Sequence, residues 1–125
     1  MELIHTCYRI GEIDRSVAFY EALGFEELRR LPIHEEAINV FMGLPGDGAR
    51  LELTYNHGVD SYDLGTGYNH IAIAVDDLDG TLAQLAEDGI EPEKPPYRPG
   101  GRTDGPFIAF VRDPDGYRIE LIGRG

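Results

Sequence analysis

The sequence has one cysteine, Cys7, no tryptophan and a single lysine, Lys94, among its 125 residues. With one thiol, no disulfide can form within the chain, so the fold must be held by its own core. A chain of this length suffices for one domain that buries roughly two thirds of its unfolded surface, and it leaves no room for a second domain. We therefore expect a single domain spanning residues 1–125.

Long hydrophobic runs and an excess of positive charge are also missing. The longest apolar stretch, residues 71–75, is far too short to cross a bilayer. The 23 acidic residues outnumber the 11 basic ones, and the formal charge of -12 repels phosphate backbones and anionic lipid. The start, residues 1–5, has neither a basic leader nor an apolar segment. We expect a cytoplasmic, soluble protein without nucleic-acid or membrane partners.

What the sequence does contain is an internal repeat. A strand pattern at residues 3–10 is followed by a helical pattern, and the same order returns from residue 69. The pairs that keep one offset, 65 residues, are His5 and His70, Ile13 and Leu78, Asp14 and Asp79, and Gly24 and Gly89. The two aspartates are the predicted helix N-caps, and the two glycines suit the left-handed position that closes a helix. Each half therefore begins with a strand and continues with a helix.

Short strands follow each predicted helix, at residues 37–42 and 50–55 in the first half and at 107–111 and 117–122 in the second. Turn sequences rich in proline and glycine separate the members of each pair, which indicates hairpins. The segment Glu91–Gly105 carries four prolines and three glycines, and we predict an irregular loop, either a lid or a plain connector. The pattern predicts an α+β fold of two βαβββ units, at approximately residues 1–60 and 66–125.

The alternation of side chains along the strands places one His and one Glu of each repeat on the same face. In the first half, His5 and Arg9 lie on the face away from the helix, and Glu52 points the same way between two leucines. The second half repeats this arrangement with His70 and Glu120. Each residue alone is typical of the wet face of an amphipathic strand. The duplication, however, yields two imidazoles and two carboxylates, which suit a divalent ion such as nickel, cobalt, iron or zinc.

These residues resemble a known family. Segments 3–9, 14–20, 51–60, 64–72 and 108–122 are similar to those of glyoxalase I, the lactoylglutathione lyase of the vicinal-oxygen-chelate (glyoxalase/bleomycin resistance/dioxygenase-like) superfamily. The resemblance implies that superfamily's fold and a homodimer whose sites lie between the subunits. The metal ligands that it implies are His5, Glu52, His70 and Glu120. Because the insertions of the longer zinc-type members are missing, nickel or cobalt is expected first, with zinc as the alternative.

The resemblance also implies a reaction, the detoxification of methylglyoxal. The substrate is its hemithioacetal with glutathione or another low-molecular-weight thiol, and the product is the S-lactoyl thioester. A carboxylate removes a carbon-bound proton and returns it to the neighbouring carbon, while the metal stabilises the enediolate. Glu120 is the expected base and Glu52 its partner. The residues expected to hold the thiol are Arg9 and Asn56, with Arg98 or Arg102 replacing a lysine that the family usually offers in its late glycine-rich loop.

Other functions stay open at this point. One is another metal enzyme of the superfamily, such as an epimerase, whose pattern has Gln in place of one Glu. A ring-cleaving dioxygenase is disfavoured, because a second Glu would occupy a position that dioxygen needs on iron. A different class is a non-catalytic drug-binding resistance protein, which usually lacks the four ligands. Bound metal distinguishes that last class from the enzymes.

Overall fold

The computed structural model describes residues 1–124, so Gly125, the last residue of the expected domain, lies outside the described residues. The chain divides into two compact units, a first one at Met1–Asp63 and a second one that begins at Leu64. The division falls between the two repeats that the sequence predicts. Neither helix within residues 1–124 is long and apolar enough to span a membrane.

The first unit consists of one helix and a four-stranded sheet. Its elements are β1 (Thr6–Ile10), α1 (Ile13–Ala22), β2 (Glu26–Ile33), β3 (Ala37–Gly43) and β4 (Leu51–Asn56). The strand order is β1-β4-β3-β2, with β1 parallel to β4 and the other neighbours antiparallel. The βαβββ order is the predicted one. Strand β2 has no predicted range, because nearly all its residues are exposed and it lacks apolar alternation.

The second unit repeats the plan with one strand fewer. Its elements are β5 (His70–Val75), α2 (Leu78–Glu87), β6 (Ile108–Arg112) and β7 (Arg118–Gly123), in the sheet order β5-β7-β6. Instead of a fourth strand, Tyr97 forms an isolated antiparallel bridge with Ile108. The irregular segment predicted at Glu91–Gly105 is confirmed apart from this bridge and a short 3₁₀ turn at Pro99–Gly101. Prolines lack the N–H that a ladder needs, which explains why the strand does not form.

The prediction that Asp14 and Asp79 cap the helices is wrong. Both helices begin two residues earlier than predicted, so the N-cap positions belong to Glu12 and Asp77. The carboxylate of Asp77 accepts a hydrogen bond from the N–H of Gly80 at 3.0 Å, whereas Glu12 makes no side-chain cap. The two predicted aspartates lie in the first turn instead, where their charge still interacts favourably with the helix dipole.

Glycine ends both helices, as predicted. Gly24 and Gly89 have φ angles of +99° and +78°. This left-handed region costs a residue with a Cβ about 1–2 kcal/mol, so glycine is the natural choice there. The N–H groups of these glycines donate to the carbonyls of Glu21 and Ala86, which closes the last turn of each helix.

The predicted faces of the strands are confirmed where the strands are regular. In β1, Tyr8 and Ile10 are buried, whereas Cys7 and Arg9 are exposed. The alternation does not extend to Ile4, because β1 begins only at residue 6, and Ile4 is 65% exposed. In β4 and β7 the buried leucines and isoleucine alternate with half-buried glutamates, so each carboxylate faces away from the core.

Candidate metal centre

His5 and Glu52 meet on the exposed face of the sheet in the first unit. Nε2 of His5 lies 2.8 Å from Oε2 of Glu52, with side chains that are 36% and 12% exposed. Glu52 stands opposite Cys7 in the parallel register of β1 and β4. His5 precedes Cys7 by two residues, so it is the diagonal neighbour of the carboxylate on the same face.

His70 and Glu120 form the same arrangement in the second unit. Nε2 of His70 lies 2.9 Å from Oε1 of Glu120. Glu120 stands opposite Ala72 in the parallel register of β5 and β7, and His70 precedes Ala72 by two residues. The strands that carry the two pairs are therefore matched residue for residue. Both His–Glu pairs that the alternation along the strands predicted are therefore present in the structure.

The donor atoms and their spacing fit a divalent ion. Two ligand atoms bound at about 2.1 Å and at right angles lie about 3.0 Å apart. The observed nitrogen-to-oxygen separations of 2.8 and 2.9 Å are close to that value. Among residues 1–124, no three His, Cys, Asp or Glu side chains form one cluster. Each unit therefore brings together one imidazole and one carboxylate.

Each of these histidines packs against a phenylalanine that sequence reasoning missed. His5 meets Phe41 edge to face, with ring centroids 6.1 Å apart, and His70 meets Phe110 in the same way at 5.0 Å. Each phenylalanine pairs with the glutamate of its own unit across the antiparallel ladder. The aromatic edge contact orients the imidazole ring. The sequence could have indicated these contacts, because Phe41 and Phe110 occupy matching strands of the two hairpins.

Arginine side chains lie next to both phenylalanines. The guanidinium of Arg29 is 4.4 Å from the ring centroid of Phe41, and that of Arg118 is 3.8 Å from Phe110. Arg118 also donates two hydrogen bonds, of 2.9 and 2.8 Å, to the carboxylate of Glu93. These bonds are the main cause that lowers the pKa of Glu93, and they raise the pKa of Arg118. The bidentate pair holds the Arg118 side chain in one orientation.

The two residues expected to hold the thiol lie on the His5 side of the first sheet. Arg9 is exposed on β1 and Asn56 is half-buried at the end of β4, about 13 Å along that strand from Glu52. The amide of Asn56 donates to the hydroxyl of Tyr62 at 2.9 Å. Thr54, which stands opposite Arg9 and lies between Glu52 and Asn56 along β4, places its hydroxyl on the same face. This polar stretch was not singled out from the sequence.

The other two predicted binding residues occupy the proline- and glycine-rich segment of the second unit. Nε of Arg98 donates to the carbonyl of Gly105 at 3.0 Å, and its guanidinium stacks on Phe107 at 4.2 Å. It lines an open cleft of about 610 Å³ at the Val75 end of β5, whereas His70 begins that strand. Arg102 pairs with Asp104 at 3.5 Å and is well exposed. Within the second unit, Arg98 thus lies at the sheet end opposite His70.

Comparison with known proteins identifies a matching family. The model described as the Glyoxalase/Bleomycin resistance protein/Dioxygenase superfamily matches residues 2–121. A lactoylglutathione lyase of Haemophilus influenzae is 45% identical over 129 residues, which cover 98% of this chain and 92% of that protein. A probable chloroplastic lactoylglutathione lyase of Arabidopsis thaliana is 44% identical over 98% of this chain. The chain spans only 36% of the Arabidopsis protein and 44% of two further plant relatives.

Solved structures agree with this similarity. The trypanothione-dependent glyoxalase I of Leishmania major superposes with a TM-score of 0.85 at 38% sequence identity. The match covers 98% of this chain and 86% of the Leishmania chain. Both repeats of this chain are therefore included in the superposition, together with the two His–Glu pairs.

Glu93→Gln removes the carboxylate that Arg118 and Arg112 contact. Because the pKa of Glu93 is lowered in the folded protein, the ion pair stabilises above the ordinary carboxyl pKa of 4.5, and its contribution is lost as the pH falls through the lowered value. Since the pair is partly exposed, we expect the substitution to reduce the free energy of unfolding in urea by about 0.5–1 kcal/mol at neutral pH. In acid the difference should vanish.

The control for this prediction is Glu91→Gln, which removes the same charge two residues away. Among residues 1–124, Glu91 has no ion-pair partner, so this change should have little effect at either pH. Equal losses of stability for the two variants, or a loss for Glu93→Gln that persists in acid, would contradict the assignment.

Proposed function

The chain belongs to the Glyoxalase/Bleomycin resistance protein/Dioxygenase superfamily, and on that premise we propose that it is a metal-dependent lactoylglutathione lyase. The observation that carries the proposal is the duplicated His–Glu pair, formed at matched register positions of the two sheets. The Haemophilus relative, which this chain matches over nearly its whole length, bears that name. The reaction converts the methylglyoxal hemithioacetal of a small thiol to the S-lactoyl thioester, in the cytoplasm.

The residues that hold the ion in this proposal are His5, Glu52, His70 and Glu120. When bound, the divalent ion polarises the substrate oxygens and stabilises the negative charge that develops on them. Nickel or cobalt is the first choice and zinc the second, since imidazole nitrogens and carboxylate oxygens serve all three. The support is the pair spacing, which suits two ligands at right angles.

Two subunits complete each site. The first-unit pair of one subunit joins the second-unit pair of its partner, so that a homodimer carries two sites. One support is that each unit by itself brings only two ligands together. A second support is the apolar surface of the first unit, which a subunit contact would cover. The large apolar side chains exposed there are Met1, Leu3, Ile4, Leu28, Leu31, Ile33 and Val59.

Glu120 is the proton-shuttling base and Glu52 its partner. The reaction takes a proton from the hemithioacetal carbon and delivers it to the adjacent carbonyl carbon, so no electron acceptor is needed. A carboxylate within hydrogen-bond reach of both carbons performs the two transfers in turn. Glu120 is only 15% exposed and is flanked by the buried residues Ile119 and Leu121, which hold its side chain on the reacting face.

Arg9 and Asn56 bind the charged end of the thiol moiety. A molecule with a formal charge of -12 repels an anionic substrate, so binding needs a local cation. Both residues lie on the Glu52 face: Arg9 stands opposite Thr54, about 7 Å along the strands from that glutamate, and Asn56 lies about 13 Å from it along β4, distances suited to a tripeptide thiol. Arg98 and Arg102 are proposed as further contacts. The name of the Leishmania relative gives trypanothione as its thiol, so the choice of thiol varies within the family.

Turnover by the metal-loaded protein tests the function. We expect thioester formation from methylglyoxal and glutathione after loading with nickel, its loss on chelation, and its return when the metal is restored. A thiol without a carboxylate, such as 2-mercaptoethanol, should give a higher KM, because Arg9 then has no anion to bind. A protein that binds nickel yet converts no hemithioacetal of any thiol would shift the assignment to another metal enzyme of the superfamily, such as an epimerase.

Heterodimers test the shared site. One chain carries His5→Ala with Glu52→Ala and the other His70→Ala with Glu120→Ala, and neither homodimer keeps an intact ligand set. Mixing the chains under refolding conditions should restore one intact site per heterodimer, because each site takes one pair from each subunit. Nickel content and turnover of the tagged, purified heterodimer measure this. Absence of any recovery would reject the shared site.

The Glu120→Gln variant separates the role of Glu120 as the base from its role as a metal ligand. Glutamine keeps the shape and a coordinating oxygen but removes the basicity, so turnover should fall by roughly 10²–10⁴-fold at equal nickel occupancy. The matched variant is Glu52→Gln, which makes the same change in the other pair and should lose less activity. If the two losses are reversed, Glu52 is the base.

A further inference from the structure

The two candidate metal-binding histidines differ in the contacts of Nδ1, the ring nitrogen that does not face the glutamate. Nδ1 of His70 forms a hydrogen bond with Oδ1 of Asn69. The position equivalent to Asn69 in the first repeat is Ile4, whose side chain has no hydrogen-bonding group. Within the described part of the chain, His5 makes only its contacts with Glu52 and Phe41. The duplication therefore preserves the ligands but not their support.

Arg118 decides which atom of Asn69 faces the ring. Nη1 of Arg118 lies 3.5 Å from Oδ1 of Asn69, although the two residues are 49 positions apart in the sequence. An arginine can only donate hydrogen bonds, so the atom that faces it is the amide oxygen and not the amide nitrogen. Arg118 is itself fixed, by two hydrogen bonds to Glu93 and by stacking on Phe110. The oxygen is thus presented to both Arg118 and His70.

An amide oxygen is an acceptor, so Nδ1 of His70 must carry the proton in this contact. In the neutral ring, that tautomer leaves a lone pair on Nε2. Nε2 faces Oε1 of Glu120 at 2.9 Å, which is also an acceptor. Two acceptors at that distance repel each other unless a proton or a metal cation lies between them.

From this geometry we propose that Asn69 is a positioning residue of the metal centre. It holds His70 in the tautomer whose Nε2 lone pair could bind a divalent ion, and the Glu93–Arg118 pair holds Asn69. This inference rests on the proposed function only in taking His70 as a metal ligand. Partners of this kind fix the orientation of a ligating imidazole, and their loss typically weakens metal binding by about 10–100-fold.

Nitrogen-15 NMR of the histidine rings in the metal-free protein tests the tautomer directly. In mildly alkaline buffer, we expect His70 of the parent chain to be protonated at Nδ1. Asn69→Leu should lose this preference, whereas Asn69→Asp, which keeps an acceptor oxygen, should retain it. The matched control is Ile4→Leu, the equivalent position of the first repeat, which should leave both histidines unchanged. Asn69 is exposed, so its leucine variant is expected to fold.

Nickel affinity, measured by competition with a chelator, is the second readout. Asn69→Leu should bind nickel at least about 10-fold more weakly than the parent, and Asn69→Asp should bind it close to the parent value. A parent His70 protonated at Nε2, or an Asn69→Leu variant with unchanged tautomer and affinity, would overturn the proposal. Neither readout uses turnover. A chain with the expected tautomer and affinity but no lyase activity would therefore refute the proposed function alone.

Discussion

The burial of the residues on either side of the two glutamates is the constraint on which the rest of the structure depends. Leu51 and Leu53 are 1% and 0% exposed, and the residues that flank Glu120 are buried as completely. Burying one such side chain stabilises the fold by about 1.5–3 kcal/mol. A slip of one residue would expose these side chains and bury the carboxylate. A half-exposed His–Glu contact contributes far less, typically 0–1 kcal/mol. The core therefore positions the carboxylates, and the proposed metal-binding chemistry uses positions that packing has already determined.

Because this constraint is local and repeated, the sequence allowed much of it to be predicted. Alternation along the strands identified the faces of His5, Glu52, His70 and Glu120, and the helix-ending glycines have the expected positive φ. Strand β2 lacked a signal because it lies at the sheet edge with nearly every residue exposed. The helix starts were misplaced because an aspartate within the first turn resembles a cap. The true start of α2 is marked by the N–H groups of Gly80 and Thr81, which donate to the carboxylate and the carbonyl of Asp77.

The network around His70 had no sequence signal, for a different reason. Asn69 and Arg118 are 49 residues apart, and Arg118 and Glu93 are 25 apart. Strand parity can assign a face to Arg118, which lies opposite His70 in the ladder. It cannot show that Arg118 forms an ion pair with a carboxylate from an irregular segment. That segment has no periodic pattern, and its prolines limit it to an isolated bridge at Tyr97. Contacts from such a segment follow from the folded path of the chain, so the structure was needed to identify them.

The same network also affects the charge near the metal centre. The guanidinium of Arg118 is matched by the carboxylate of Glu93, whose pKa it lowers, so the pair adds little net charge beside Glu120. In the proposed metal centre, the negative charge of the glutamates is thereby left for a divalent cation rather than cancelled by an arginine. His5 has no comparable support and is more exposed than His70, at 36% against 29%. In the proposed shared site, one histidine is therefore held in place by the protein, while the other would be freer to adjust its ring when an ion binds.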